Sequence, residues 1–301
     1  MTPQHFLGLA LGGGGARGAA HIGVLQELHQ AGIKVENIAG TSAGSVIGAM
    51  YAATCDPFWV EKRFRDFIGS KPFSGLRSKR LAKGGDPDSV FDQISKKVSD
   101  QYVLMMSLKR RSIIKKDPLL KAIKFLLPVS TFKELKIPLK VISTDLNSCE
   151  DRIDDTGDLI EAVVRSCSIP GFVEPSGSDN DIIVDGGVSM PIPVPAIKKE
   201  CVFTLAVDIS CYQLKPMRKV NLMEIMKRAD MVTSLRLKAR LAEEADFVIR
   251  PDTMGLHWSD FDQFETLIEK GKDAARTSLD QLRTSINQKQ TILSKMKEWL
   301  S

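Results

Sequence analysis

Histidine is scarce in this chain, with only His5, His21, His29 and His257, and the scarcity narrows the catalytic arrangements open to it. A Ser-His-acid triad in the chain order of α/β-hydrolases needs its histidine after both nucleophile and acid. Only His257, in Met254-Gly255-Leu256-His257-Trp258, meets that order. A lone histidine beside tryptophan is as readily a packing residue, and His21 and His29 share a helix face that packing explains. No group of His, Cys, Asp and Glu has metal-ligand spacing, so neither a metal nor another cofactor is expected. The five cysteines are odd in number and contain no C-x-x-C, which argues against a disulfide framework and for reduced thiols in cytoplasm. No apolar run is long enough to cross a bilayer, and the start lacks a signal peptide's charged and apolar regions. The expectation is a cytoplasmic chain beginning at Met1, at most peripheral to the inner face of the membrane. Aromatic residues are only 6% of the chain and do not interleave with its basic segment, so no nucleic-acid partner is expected.

What the chain does have is glycine at telling places. Gly40-Thr41-Ser42-Ala43-Gly44 sets a serine between glycines where an apolar strand, Val35 to Ala39, gives way to a helical run from Ala43. That is the layout of a nucleophile elbow, whose tight turn exposes the serine hydroxyl beside the amides of the next helix. The alternative is a helix N-cap, since serine is a favoured cap and Ser42 directly precedes the run.

Upstream, the apolar run Phe6 to Leu11 is followed by Gly12-Gly13-Gly14-Gly15-Ala16-Arg17-Gly18 and a helical segment, Ala19 to Ala31. Uncovered amides of such a loop can approach a phosphate or a tetrahedral oxyanion. Read as G-x-G-x-x-G, with Glu36 as the ribose-binding acid, it is a rival dinucleotide fingerprint, but Glu36 precedes a strand instead of ending one. A third feature, Asp185-Gly186-Gly187, ends the apolar strand Ile182 to Val184. It is either an ordinary turn or an acid facing a cleft. Asp145 and Asp208 also end strands and compete for the acid's role, Asp145 with loop anchoring as its plainer explanation. Arg17 is either a ligand for a substrate phosphate or a brace for the loop.

Taken together, the loop ending Arg17-Gly18, the elbow Gly40 to Gly44 and Asp185-Gly186-Gly187 resemble, in order and spacing, the patatin-like phospholipases. The resemblance extends through Arg17 to Leu25, Ser166 to Pro175 and Ala245 to Pro251, and is greatest to small bacterial members. It implies a Ser-Asp dyad, with Ser42 as nucleophile and Asp185 as its base, and no histidine. It implies oxyanion donors at Gly13, Gly14 and Gly15, with Arg17 as a brace and Gly18, Gly40, Gly44, Gly186 and Gly187 as structural support. It also implies a lipid or other fatty-acyl ester as substrate, phospholipid or lysophospholipid first. A catalytically weak scaffold of the same fold and a nucleotide-binding module are the rival functions.

Apolar strands alternating with helices predict an α/β fold, and the resemblance makes it a three-layer α/β/α sandwich on a mainly parallel sheet. Strands are expected at Phe6 to Leu11, Val35 to Ala39, Leu139 to Thr144, Ile182 to Val184, Val202 to Val207 and Phe247 to Ile249. Nothing divides the chain, so residues 1–301 read as one domain, with 58–131 as a helical cap and 261–301 as C-terminal helices. Within the cap, Lys109, Arg110, Arg111, Lys115, Lys116, Lys121 and Lys124 cluster, and Asp117-Pro118 reads as an N-cap and first helical residue. Leu119, Leu120, Ile123, Leu126 and Leu127 then share one face before Pro128 ends the run. Such a basic amphipathic helix over 109–127 suits an anionic membrane surface, or packs its leucines inward.

Overall fold

A computed structural model describes residues 5–76, 112, 114–178, 180–212, 216–217 and 220–300. A seven-stranded sheet forms its centre, in the order β4-β3-β2-β1-β6-β7, with β5 also paired to β3. Strands β1 (His5–Leu11), β2 (Asn37–Thr41), β3 (Leu139–Asp145), β6 (Cys201–Val207) and β7 (Phe247–Ile249) run parallel. Only β4 (Glu150–Asp154) and β5 (Ile183–Asp185) lie antiparallel, both against β3. The mainly parallel α/β sandwich is therefore present.

Side chains along the parallel strands alternate by size as well as by direction. Leu7, Leu9 and Leu11 of β1, with Ile38, Val141, Phe203, Leu205 and Val207, enter the larger of two cores. The intervening Ala10, Ala39 and Ala206 face the smaller core, joined there by Ile142 and the partly buried Val248. Small residues on that face let short α7 (Val194–Ile197) and the end of α8 (Leu222–Ala242) lie close to the sheet. On the other face sit α1 (Ala19–Gln30), α2 (Ala43–Thr54) and α6 (Leu159–Ser166).

The C-terminal segment is one helix, α9 (Phe264–Leu300), after a short 3-10 turn, Phe261–Gln263. It lies along α1 where two glycines meet the partner backbone: a Cβ at Gly23 would collide with the Ile268 carbonyl and one at Gly271 with that of Ala20. Phe264, Leu267, Ile268, Ala275 and Leu282 are buried, so this helix covers the sheet's larger core.

Three helices of the 58–131 region are described: α3 (Pro57–Ile68), α4 (Lys71–Leu76) and α5 (Lys116–Leu126). Helix α5 begins earlier than the sequence predicts, with Lys115 as N-cap and Asp117 and Pro118 inside its first turn. A proline is accommodated there because first-turn amides have no intrahelical acceptor. Leu127 turns extended before Pro128, as a residue preceding proline must. The apolar face is not open to a membrane: Leu119, Ala122, Ile123 and Leu126 are buried within the protein. Lys109, Arg110 and Arg111 lie outside the described residues.

Candidate active site

Strand β2 runs two residues further than the sequence suggests and ends directly at Ser42. Ser42 adopts φ 53° and ψ −123°, a left-handed backbone that costs a non-glycine residue about 1–3 kcal/mol. Several bonds hold it there. The Ser42 amide donates to Ser166 Oγ at 2.9 Å, the Ser42 carbonyl accepts from Ser45 N at 2.8 Å, and Thr41 Oγ1 donates to the Met190 carbonyl at 2.8 Å. The flanking glycines are steric necessities, since a Cβ at Gly40 would sit 2.6 Å from the Gly44 carbonyl oxygen and one at Gly44 would strike the Leu11 carbonyl. The N-cap alternative fails, because the Ser42 side chain caps no helix amide. Its hydroxyl instead donates to Asp185 Oδ2 at 2.6 Å.

Sheet register explains how residues 143 positions apart meet. Strand β2 pairs with the first half of β3, ending with Thr41 opposite Ile142. Where β2 turns away, β5 takes over that edge of β3, and its last residue, Asp185, stands opposite Ser143. The carboxylate thus arrives next to the residue that follows Thr41. Gly187 N donates to its other oxygen at 2.7 Å, and the Asp185 amide is fixed by the Ser168 carbonyl at 2.9 Å. Gly186 packs on Ile142. Burial pushes the Asp185 carboxyl up to about 6, against the opposing pull of the Ser42 and Gly187 hydrogen bonds and the nearby charge of Lys238. Such a carboxylate is a stronger base than an exposed one and remains ionised near neutrality.

The glycine loop stands over the same pair, with one revision to its expected roles. The Gly13 amide already donates to the Pro191 carbonyl at 3.0 Å, so it is not a free oxyanion donor. Gly12 is likewise tied to Val207. The amides of Gly14 and Gly15 donate to no backbone acceptor among the described residues. Arg17 braces the loop, its Nε donating to the Gly14 carbonyl at 3.2 Å, while Gly18 abuts Ala43 at the start of α2. His21, wholly buried, holds the Gly12 carbonyl through Nε2 at 2.8 Å, and burial pushes its ring down to about 4. It is a neutral strut.

The competing assignments are placed elsewhere. His257 hydrogen-bonds Ser259 at 2.7 Å within its own loop. Asp145 accepts from Asn147 N at 2.9 Å and so anchors the turn after β3. Asp208 is engaged with Ser210 N and the Tyr212 hydroxyl, and Arg250 lies 3.5 Å away. Glu36 accepts the Phe6 amide at 2.9 Å, which removes the acid of the dinucleotide fingerprint. Among the described residues, no group of three His, Cys, Asp or Glu side chains could hold a metal ion.

Sequence reasoning missed two contributors. Ser166 holds the elbow amide, and Lys238, on α8, lies within electrostatic reach of Asp185, Arg17 and Asp208. Neither sits in a recognisable motif of charge or glycine, although Ser166 opens the Ser166 to Pro175 stretch already marked by resemblance.

Ser42 opens onto a cavity of about 520 Å³, a volume in the usual range of small-ligand sites. Its walls are mostly apolar and aromatic, with Ser259, Asp260, Asp262 and Gln263 among the polar residues. Phe64, Phe67 and Phe73 come from α3 and α4, Ile123 and Leu126 from α5, and Trp258 from the loop after β7. Cys167 lines it beside Ser42, its thiol pushed up by burial and so held protonated.

A strained serine, a buried carboxylate and a glycine loop over an apolar cavity define a class of proteins that also shows in sequence comparison. The family described as patatin-like phospholipase matches residues 9–197, and the chain belongs to that family. It is 28% identical to a patatin-like phospholipase domain-containing protein of Caenorhabditis elegans, over 97% of this chain and 22% of that protein. An uncharacterized NTE family protein of Mycobacterium tuberculosis is 29% identical over 70% of this chain and 51% of its own length. The chain thus spans between about a fifth and a half of these curated relatives. Among solved structures, VipD from Legionella pneumophila aligns with a TM-score of 0.47 and 17% identity, over 93% of this chain and 67% of that one. Human GIVD cytosolic phospholipase A2, solved with a fluorophosphonate, aligns with a TM-score of 0.47 and 12% identity, over 95% and 59% of the two chains.

Proposed function

We propose that this chain hydrolyses lipid acyl esters, with Ser42 as nucleophile and Asp185 as general base. The observation that carries the reading is the 2.6 Å hydrogen bond from Ser42 Oγ to a buried carboxylate, at the wall of a large apolar cavity. As Ser42 Oγ attacks the ester carbonyl, its proton passes to Asp185 Oδ2 and the developing oxyanion is met by the amides of Gly14 and Gly15. Collapse of the tetrahedral species expels the alcohol, which takes the proton from Asp185. Water then opens the acyl-enzyme, Asp185 taking its proton and returning it to Ser42 Oγ as the fatty acid leaves. No histidine is needed because burial has already raised the basicity of the carboxylate.

The cavity accommodates the acyl chain, which makes phospholipid or lysophospholipid the first substrates to test, ahead of short-chain esters and thioesters. Helices α3, α4 and α5 act as a cap in this reading, since their aromatic and aliphatic side chains form one wall of the cavity. No disulfide joins any of the five cysteines, which suits a reducing compartment such as cytoplasm. Among the described residues no helix is long and apolar enough to cross a membrane.

A fluorophosphonate probe tests the assignment. Wild-type protein should label and hydrolyse a lysophospholipid, Ser42→Ala should do neither, and Asp185→Asn should lose at least about a thousandfold in rate, as loss of a nucleophile's base does. Labelling that survives Ser42→Ala would end the proposal, and a folded wild type that never labels would leave the scaffold function standing.

A further inference from the structure

Helix α8 is held mainly by its C-terminal end, where Leu241 and Ala242 are buried in the smaller core. Its N-terminal half is different. Leu222, Ile225, Met226, Ala229 and Val232 stand at positions i, i+3, i+4, i+7 and i+10, which places them on a single helix face. All five are exposed, Leu222 by 72%, Met226 by 59%, Ile225 by 50% and Val232 by 37%. Arg236 and Arg240, also exposed, continue the same face. A contiguous apolar stripe kept in water in this way marks a contact surface.

Position and charge narrow what that contact is. Lys238 lies within electrostatic reach of Asp185, Arg17 and Asp208, so the helix runs behind the candidate site, on the face of the sheet away from the cavity. Tyr212, whose hydroxyl donates to Asp208 at 2.7 Å, is 40% exposed. The helix carries five basic residues against two acidic ones, Glu224 and the exposed Asp230. Pairing two copies of this face about a twofold axis would bring like charges together, whereas an anionic lipid surface complements them.

We propose that the exposed face of α8 seats the protein on an anionic bilayer, Leu222, Ile225, Met226 and Val232 entering the headgroup boundary while Arg236 and Arg240 meet lipid phosphates. This builds on the lipid-ester reading, which gives such a surface its purpose, but its test needs no turnover. This surface is distinct from the 109–127 segment, whose Leu119, Ile123 and Leu126 are buried inside the protein.

Full-length Ser42→Ala protein, sedimented with vesicles, isolates binding from catalysis. It should bind vesicles of equimolar phosphatidylcholine and phosphatidylglycerol and bind phosphatidylcholine alone much more weakly. Adding Ile225→Glu and Met226→Glu should weaken binding by about tenfold or more, because two apolar anchors become repelled charges. Adding Arg236→Gln and Arg240→Gln instead should reduce binding less and flatten its dependence on salt. In a Ser42 background these surface variants should cleave a soluble short-chain ester as the wild type does. If no variant cleaves any ester yet the vesicle results hold, the catalytic reading fails and the surface stands. Undiminished vesicle binding by the Ile225→Glu, Met226→Glu protein would overturn the proposal, as would absence of binding in the parent protein. So would a dimer that these substitutions split while vesicle binding stays unchanged, since a second copy would then be the occupant.

Discussion

Helices α5 and α8 resemble each other in composition, each mixing leucine and isoleucine with lysine or arginine, yet the protein uses them in opposite ways. In α5 the apolar residues fall in strict helical register, and Leu119, Ala122, Ile123 and Leu126 are buried along the cavity wall. In α8 apolar residues are spread around the helix, so the face turned to the protein and the face turned to water both carry them. Clean amphipathicity is what a helix needs to pack inward on a folded core. It is the less patterned helix that retains apolar surface for something outside.

That contrast is most sharply broken by putting the same charge into each helix. Ile123→Glu should destabilise the fold by about 4 kcal/mol, because an unpaired carboxylate enters the apolar wall and loses its hydration. Ile225→Glu should change stability by no more than about 0.5 kcal/mol, as substitutions of exposed residues usually do. Urea denaturation monitored by circular dichroism measures both. Equal losses would mean that α8 is packed as firmly as α5.

A smaller change asks whether α5 shapes the substrate as well as the fold. Ala122, buried against the cavity, becomes a filler on Ala122→Leu. The kcat/KM for long-chain p-nitrophenyl esters should fall by about tenfold, with butyrate almost unaffected, since a few methylenes of lost space are worth that much. Val232→Leu on α8 should leave the chain-length profile unmoved. A profile unchanged by Ala122→Leu would remove α5 from the acyl-binding wall.

How much of this was legible beforehand depends on whether a residue acts through its neighbours in sequence or in space. The three glycine-marked segments were readable because close backbone approach at Gly40, Gly44 and the loop leaves a compositional mark. The sequence predicts a β2 that ends two residues short because Gly40-Thr41 looks like a turn, whereas the sheet carries the strand to the edge of Ser42. Strand β4 gave no signal, since Glu-Asp-Arg-Ile-Asp at an exposed antiparallel edge has almost no apolar content. Gly13 looked like an oxyanion donor because its bond to Pro191 joins segments far apart in the chain. Ser166 and Lys238 reach the site only through tertiary packing, and in α8 the apolar residues turned toward the protein mask the stripe on its exposed face.

Lys238 gives the finest test of whether α8 is also coupled to the chemistry. Asp185 must be ionised to accept the Ser42 proton, so kcat/KM should fall as pH drops through about 6, where burial holds its carboxyl. The positive charge of Lys238 favours the ionised form, opposing that burial. Lys238 itself is held down to about 8, chiefly by its own burial, and so stays charged at neutral pH. Removing the charge by Lys238→Met should raise the Asp185 pKa and move the acid limb of the rate profile upward by about 0.3–0.5 pH unit, as expected for one partly screened charge. Lys238→Arg should restore the limb. Neutralising Arg240, on the exposed side of the same helix, should leave it in place, so a limb that shifts equally in both variants would show general loss of cationic field instead of a contact made through Lys238.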